Sequence, residues 1–349
     1  MYDAVVVGGG IVGSSVAYHL ARDGADALLV DREDEGRATD AGAGILSPAT
    51  SSRTGSDPWF EFAVEAVDYY PELVSRLRDE QDGDAGYAQC GLLSVAIREA
   101  EVEEFDRAMD RIETRQRELG QPEPGSFAEV SPRDARDRFP ALAEVERAAY
   151  YEDAARVDGR LLTDALRRAG RAHGLDVREA TAEELRVEDG EIATVVTDEE
   201  TVETEAAVVA GGAWSGEFGD QLGVEIPVEP QRGQIAHLDL GAGSVGGTAG
   251  FDPRTTAGGV REVLDEALRV APGLADAELA EVRVGLRPLS EDGLPVLGPV
   301  PDVEGAYLAT GHGPTGLQLG PYSGKMMAQM VQGAEPATDV SEFAIGRFS

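Results

Sequence analysis

Hydrophobic positions near the start of the chain follow two rhythms. Ala4–Val7 is a continuous apolar run, the pattern of a strand buried on both faces. From Ile11 to Asp23 the spacing changes to three and four, with Val12, Val16 and Leu20 on one side, which predicts a helix that Gly24 stops. "ALLVD" (27–31) is continuous again, so residues 4–31 read as one βαβ unit. The same reasoning predicts helices over 61–77, 101–119, 159–173, 262–272 and 316–332, and strands over 90–97, 192–196, 206–212 and 305–310. With 349 residues, the chain exceeds one ordinary core, and the pattern reads as a soluble α/β protein carrying an inserted second domain.

Composition narrows the classes. No apolar run reaches the roughly 18 residues of a membrane span, and no basic leader precedes the first strand, so a cytoplasmic protein is expected. Cys90 is the only cysteine, which excludes an internal disulfide and a cysteine-rich metal site. Acidic residues number 66 against 30 basic ones, a formal charge of −36, and Lys325 is the only lysine. Such a surface repels nucleic acid and anionic membranes. The acids are dispersed through the chain, as in proteins that live in molar salt, where the Debye length falls to roughly 3 Å. The charge reports habitat more than chemistry.

Two glycine-rich turns carry the chemistry. Gly8, Gly10 and Gly13 form G-x-G-x-x-G between the first strand and helix, and Asp31 ends the second strand. The glycines permit a tight turn, close approach to a pyrophosphate and helix–strand packing, while the helix N-terminus offers N–H groups. A carboxylate at Asp31 suits ribose hydroxyls, and the dinucleotide is NAD or FAD. The slim segment "GRATDAGAGILSP" (36–48) can lie along an extended cofactor, with Thr39 offering a hydroxyl and N–H to phosphate. Near the other end, "GHGPTGLQLGP" (311–321) opens the last predicted helix. Backbone N–H groups around Gly313–Gln318 there can face a group that gains negative charge on reduction.

The ordered set "VVVGGGIVGSSVAYHLA", "GRATDAGAGILSP", "RVDGRLL", "VVAGGAWSG", "QRGQI", "GLRPLSEDGLPVLG" and "GHGPTGLQLGPYSG" resembles the FAD-dependent D-amino-acid oxidase family, near its glycine oxidase, sarcosine oxidase and D-amino-acid dehydrogenase members. The resemblance covers most of the chain. It implies a Rossmann-like FAD-binding domain of the glutathione-reductase type (1–83, 149–219 and 291–349). An α+β substrate domain on an antiparallel sheet (84–148 and 220–290) is inserted in it. It also implies FAD contacts from Gly8, Gly10, Ile11, Val12, Gly13, Asp31, Arg32, Thr39, Ala43, Gly44, Ile45, Gly311, His312, Gly313, Gly316, Leu317 and Gln318. By the same resemblance Arg287 binds the carboxylate of a small amino-acid substrate, and no residue is nominated as a catalytic base.

The implied reaction is oxidation of the Cα–N bond of a D-amino acid, glycine or N-methyl amino acid, by hydride transfer to flavin N5. It yields an imino acid, then a keto acid (glyoxylate from glycine) and an amine or ammonia. Oxygen or a respiratory carrier would take the electrons. The sequence does not separate oxidase from dehydrogenase. Two departures stand out. About two dozen residues, some two strands and a turn, are missing after 240, which predicts an open edge on the substrate sheet. Pro314 replaces a glycine oxidase arginine. An alternative is therefore a flavin-binding subunit with a degenerate pocket, while an NAD-dependent dehydrogenase is disfavoured by both 36–48 and the C-terminal turn. Trp214 in "GAWSG" is read as packing.

Overall fold

The structure is a computed structural model, and it describes residues 1–53, 58–238, 241–248 and 255–348. Ala4–Val7 (β1) is fully apolar and buries all four side chains, so it can only sit in the middle of a sheet covered on both faces. Parallel neighbours flank it, Ala27–Asp31 (β2) on one side and Ala207–Val209 on the other, with Val6 opposite Val208. Numbering the remaining strands of this sheet Asp176–Glu179 (β3), Ala207–Val209 (β4), Val296–Pro299 (β5) and Ala306–Thr310 (β6), the order is β5-β6-β4-β1-β2-β3. Only β5 runs antiparallel to its neighbour. The order reverses between β1 and β4, the point at which such sheets bind ligands at the carboxyl ends of their strands.

On one face Ala4 and Val6 share a core with residues of Ile11–Arg22 (α1), Gly159–Ala172 (α2) and Gly316–Val331 (α3). On the other, Val5 and Val7 meet Val195 of an antiparallel meander (182–203) and Phe218 and Ile226. The closest contact in the helical layer is α3 on α1. A Cβ at Gly320 would lie 3.0 Å from the Ile11 side chain, and one at Gly324 would lie 2.5 Å from Ser15 Cβ. These two glycines let the last helix sit on the first, which brings the two glycine-rich turns together. Pro321, inside α3, has no N–H and leaves the Leu317 carbonyl without its helical donor. The buried Tyr70 hydroxyl donates to that carbonyl instead, and Ser15 Oγ donates to Pro321 O at 2.8 Å.

A second antiparallel sheet places Val228–Leu238 between Gly241–Thr248 and Leu279–Ser290. The expected open edge is therefore different in kind. Residues 241–248 form a strand paired from Gln231–Thr248 to Leu238–Gly241, because backbone pairing requires no side chains even in a stretch as glycine-rich as GAGSVGGT. The edge passes to that strand, and residues 249–254 lie outside the described residues. The helix expected over 61–77 is two, Pro58–Asp68 and Tyr70–Glu80. Pro71 interrupts it by removing one donor from the ladder. Among the described residues no helix is long and apolar enough to cross a membrane.

Candidate active site

A cavity of about 420 Å³ opens at the carboxyl ends of β1, β2, β4 and β6, a size typical of small-molecule sites. The first turn forms its floor. Gly8 has φ +100°, a conformation open to glycine, and a Cβ there would sit 2.5 Å from Ala210 O. Gly10 precedes α1 and offers no side-chain cap, so beyond Ile11 the first-turn N–H groups are left for a ligand. Ile11 N donates to Thr39 Oγ1 at 3.0 Å, which leaves the Thr39 hydroxyl proton free to donate to a ligand.

One end of the cavity is polar. Asp31 Oδ2 accepts from Arg37 Nη1 at 2.8 Å and from Arg167 Nη2. The Arg32 guanidinium lies 5.2 Å from the centroid of Trp214, and both residues line the cavity. Trp214 is therefore a wall of the site, which corrects its reading as packing. An arginine stacked on an indole offers a flat surface for an aromatic base.

At the other end, Gly313–Thr315 forms a 3-10 turn leading into α3, whose cap residue Thr315 makes no side-chain cap bond. Gln318 Oε1 accepts from Ser47 N at 3.1 Å, and Ile45 is 58% exposed beside the cavity despite its apolar side chain. Gln318 Nε2 and His312 Nδ1 are buried without a hydrogen-bond partner. Uncapped helix starts, an exposed isoleucine and orphaned nitrogens on lining residues are what a long cofactor with polar ends and an apolar ring would satisfy. The residues present fit FAD.

His312 is 2% exposed, its Nε2 lies 3.0 Å from Ser323 Oγ, and burial alone lowers its pKa to about 4. It is neutral at working pH, in keeping with a structural role. The unfolded chain protonates near 6.5, so between about 6.5 and 4 it binds more protons than the folded one. Stability should therefore fall as pH drops through that window, by up to about 3 kcal/mol from this residue. Buried His19, whose pKa is also lowered by burial first, acts in the same direction. Urea midpoints at pH 7 and 5 in molar KCl should show the drop, and His312→Asn should make it smaller. Equal slopes for both proteins would remove His312 from this account.

Arg287 stands on the Leu279–Ser290 strand, and the strand is pinned to the cofactor loops on both sides of it. Leu286 N donates to Gly36 O at 2.8 Å, and Leu289 bridges His312. The guanidinium lies over Gly233 of the neighbouring strand, where a Cβ would come within 2.8 Å of Nη2. It lines the cavity and has no ion pair or hydrogen bond among the described residues, and desolvation alone pulls its pKa down. A guanidinium that lines the cavity with no acidic partner is available to bind an anion there.

Of the residues predicted at the site, all line this one cavity except Gly13 and Gly311. A Cβ on Gly13 would strike Gly8 O, so Gly13 lets α1 start against the turn. Gly311, with φ +74°, packs against Val296 and Ser290. The sequence reading missed Arg37, Arg167 and the wall role of Trp214. Arg37 was inside a quoted motif, whereas Arg167 sits among the residues of an ordinary amphipathic helix and gave no signal.

Comparison with known proteins bears directly on this geometry. Residues 3–245 and 240–330 match the FAD dependent oxidoreductase (DAO) family. The chain belongs to that family. An uncharacterized oxidoreductase of Bacillus subtilis (strain 168), YurR, is 35% identical over 372 positions, covering 98% of each chain. The solved iminodiacetate oxidase (IdaA) from Chelativorans sp. BNC1 superposes with TM-score 0.90 at 32% identity, over 98% of each chain. Glycine oxidase from Geobacillus kaustophilus superposes with TM-score 0.87 at 28% identity, over 99% of this chain and 98% of that one. This member of the DAO family is a FAD-dependent oxidoreductase of the glycine oxidase and amino-acid oxidase type.

Proposed function

We propose that the cavity holds FAD along its length and that the enzyme oxidises the Cα–N bond of a small amino acid: glycine, an N-substituted glycine or a D-amino acid. The observation that carries the reading is Arg287, a half-buried guanidinium with no ion pair or hydrogen bond among the described residues, at the flavin end of the site. A guanidinium fork holds a carboxylate bidentately and fixes the Cα–N bond in place. FAD, when bound, would supply the acceptor for the Cα hydride, which carries both electrons, while the amine nitrogen gives up a proton. The names of the structural neighbours, iminodiacetate oxidase and glycine oxidase, favour substrates with a carboxymethyl–amine unit. Ionisable residues lining this end are Arg287 and neutral His312, so positioning and a neutral substrate amine do the work that a base would do elsewhere. Oxygen or a respiratory carrier reoxidises the cofactor.

We place the cofactor domain at 1–83, 149–219 and 291–349 and the substrate domain at 84–148 and 220–290. The substrate sheet is shortened after 240. In support, the two family matches meet at 240–245, and the alignment to YurR spans 372 positions against 349 residues. The test is an anaerobic titration in molar KCl with glycine, sarcosine, iminodiacetate, D-alanine and D-proline while flavin absorbance is followed. Bleaching by any of them identifies the substrate class. A yellow protein that none bleaches would overturn the amino-acid reading and point to the shortened sheet.

A further inference from the structure

Arg167 stands in the middle of α2 and is 7% exposed, on a helix whose buried face is otherwise mostly Leu, Ala and Gly. Arginine is almost never buried this far without partners. Its four partners lie in the nucleotide turn, the first turn of α1, the end of β2 and the residues just after it. Nε donates to Ser14 Oγ at 3.2 Å, Nη1 to Glu33 Oε1 at 3.0 Å, and Nη2 to both Gly9 O, at 2.5 Å, and Asp31 Oδ2. The start of α2 does not depend on them, since Asp158 caps it by accepting from Arg160 N and Leu161 N.

Two consequences follow for the site. The Gly9 carbonyl, held by Arg167 and by Ser14 Oγ at 2.9 Å, is turned toward α2. In a trans peptide the carbonyl and the next N–H point in opposite directions, so Gly10 N–H points away from Arg167. At Asp31, Arg167 and Arg37 both fall on Oδ2. Oδ1 is left with one long contact, from Glu33 N at 3.4 Å. Asp31 lines the cavity and Arg167 does not.

Taking the cavity as the FAD site, we propose that Arg167 is a positioning residue for the adenosine–pyrophosphate half of the cofactor. It aims Gly10 N–H at the phosphates and holds Asp31 so that Oδ1 is the oxygen offered to a ribose hydroxyl. It acts only through these groups, because it does not line the cavity.

The test titrates FAD into apoprotein in molar KCl, following flavin fluorescence, with ADP as a competitor that reports the adenosine half alone. Arg167→Met should weaken FAD at least tenfold, and ADP in step. Arg167→Lys, which keeps charge and bulk and is expected to fold, should be intermediate, since an ammonium cannot reproduce the planar fork. The absorption spectrum of the bound flavin should be unchanged. In an Asp31→Ala background the same Arg167→Met change should cost several-fold less, because part of its effect runs through that carboxylate. Wild-type FAD and ADP affinity in Arg167→Met or, should that protein not fold, in Arg167→Lys, would overturn the proposal. So would an equal loss in both backgrounds that lysine does not relieve. A wild-type apoprotein that binds no FAD would overturn the reading of the cavity itself.

Discussion

Gly13→Val should purify colourless and take up FAD at least about a hundredfold more weakly than the parent, a loss of about 3 kcal/mol. The reason is local crowding. A Cβ at position 13 falls on the Gly8 carbonyl and lies 3.1 Å from Ala210 Cβ. Neither neighbour can yield, because Gly8 is itself wedged against Ala210 at φ +100° and β1 is pinned between β2 and β4. The start of α1 must move instead, and its N–H groups leave the place where the pyrophosphate would lie. Gly258→Ala, with open space around its Cβ, is the control that should stay yellow. A Gly13→Val protein isolated with a full complement of FAD would refute this placement.

Arg287→Ala should do the opposite: keep the flavin and lose the substrate. Removing one partner of a desolvated charge pair costs roughly 2–5 kcal/mol, so kcat/KM for the best substrate should fall by about 30-fold to several thousandfold. Arg287→Lys should recover little, since a bidentate fork is not replaced by a point charge. Gly233→Ala is a subtler form of the same test. Its methyl group would displace the guanidinium without removing it, since Cζ is 2.9 Å from the added Cβ. A smaller loss of the same sign is expected, expressed in KM, with the flavin spectrum intact. Substrate affinity unchanged in Arg287→Ala would take this residue out of the site.

Much of the site was legible because it depends on backbone. The turn at Gly8–Gly13, the carboxylate at Asp31 and the turn at Gly311–Gln318 announce themselves through residues that only a close backbone approach requires. The central strands were equally plain, since runs such as AVVV and ALLVD cannot be buried on one face alone. What stayed hidden depends on side chains meeting across long sequence separations. Arg167 reaches Asp31 across 136 positions, and Tyr70 reaches the Leu317 carbonyl across 247. No local pattern encodes either meeting. The split at Pro71 was readable but outvoted by apolar spacing that continues through it. Glycine-rich 241–248 lacked side-chain signal altogether, and its strand comes from pairing with the segment before it.

The seat of α3 on α1, through Gly320 and Gly324, has a consequence for how the protein is made. The nucleotide turn is synthesised first; its helix can meet α2 once residue 172 has emerged, but finds its seat under α3 only after residues 316–331. Strands β5 and β6, also late, complete the sheet around β1. At a ribosomal rate of about 5–20 residues per second, the first βαβ unit waits on the order of fifteen seconds to a minute for the other half of its layer. A cavity lined by residues 312–318 is complete only once they have emerged, and for that interval the part of α1 around Ile11 and Ser15 lacks its cover.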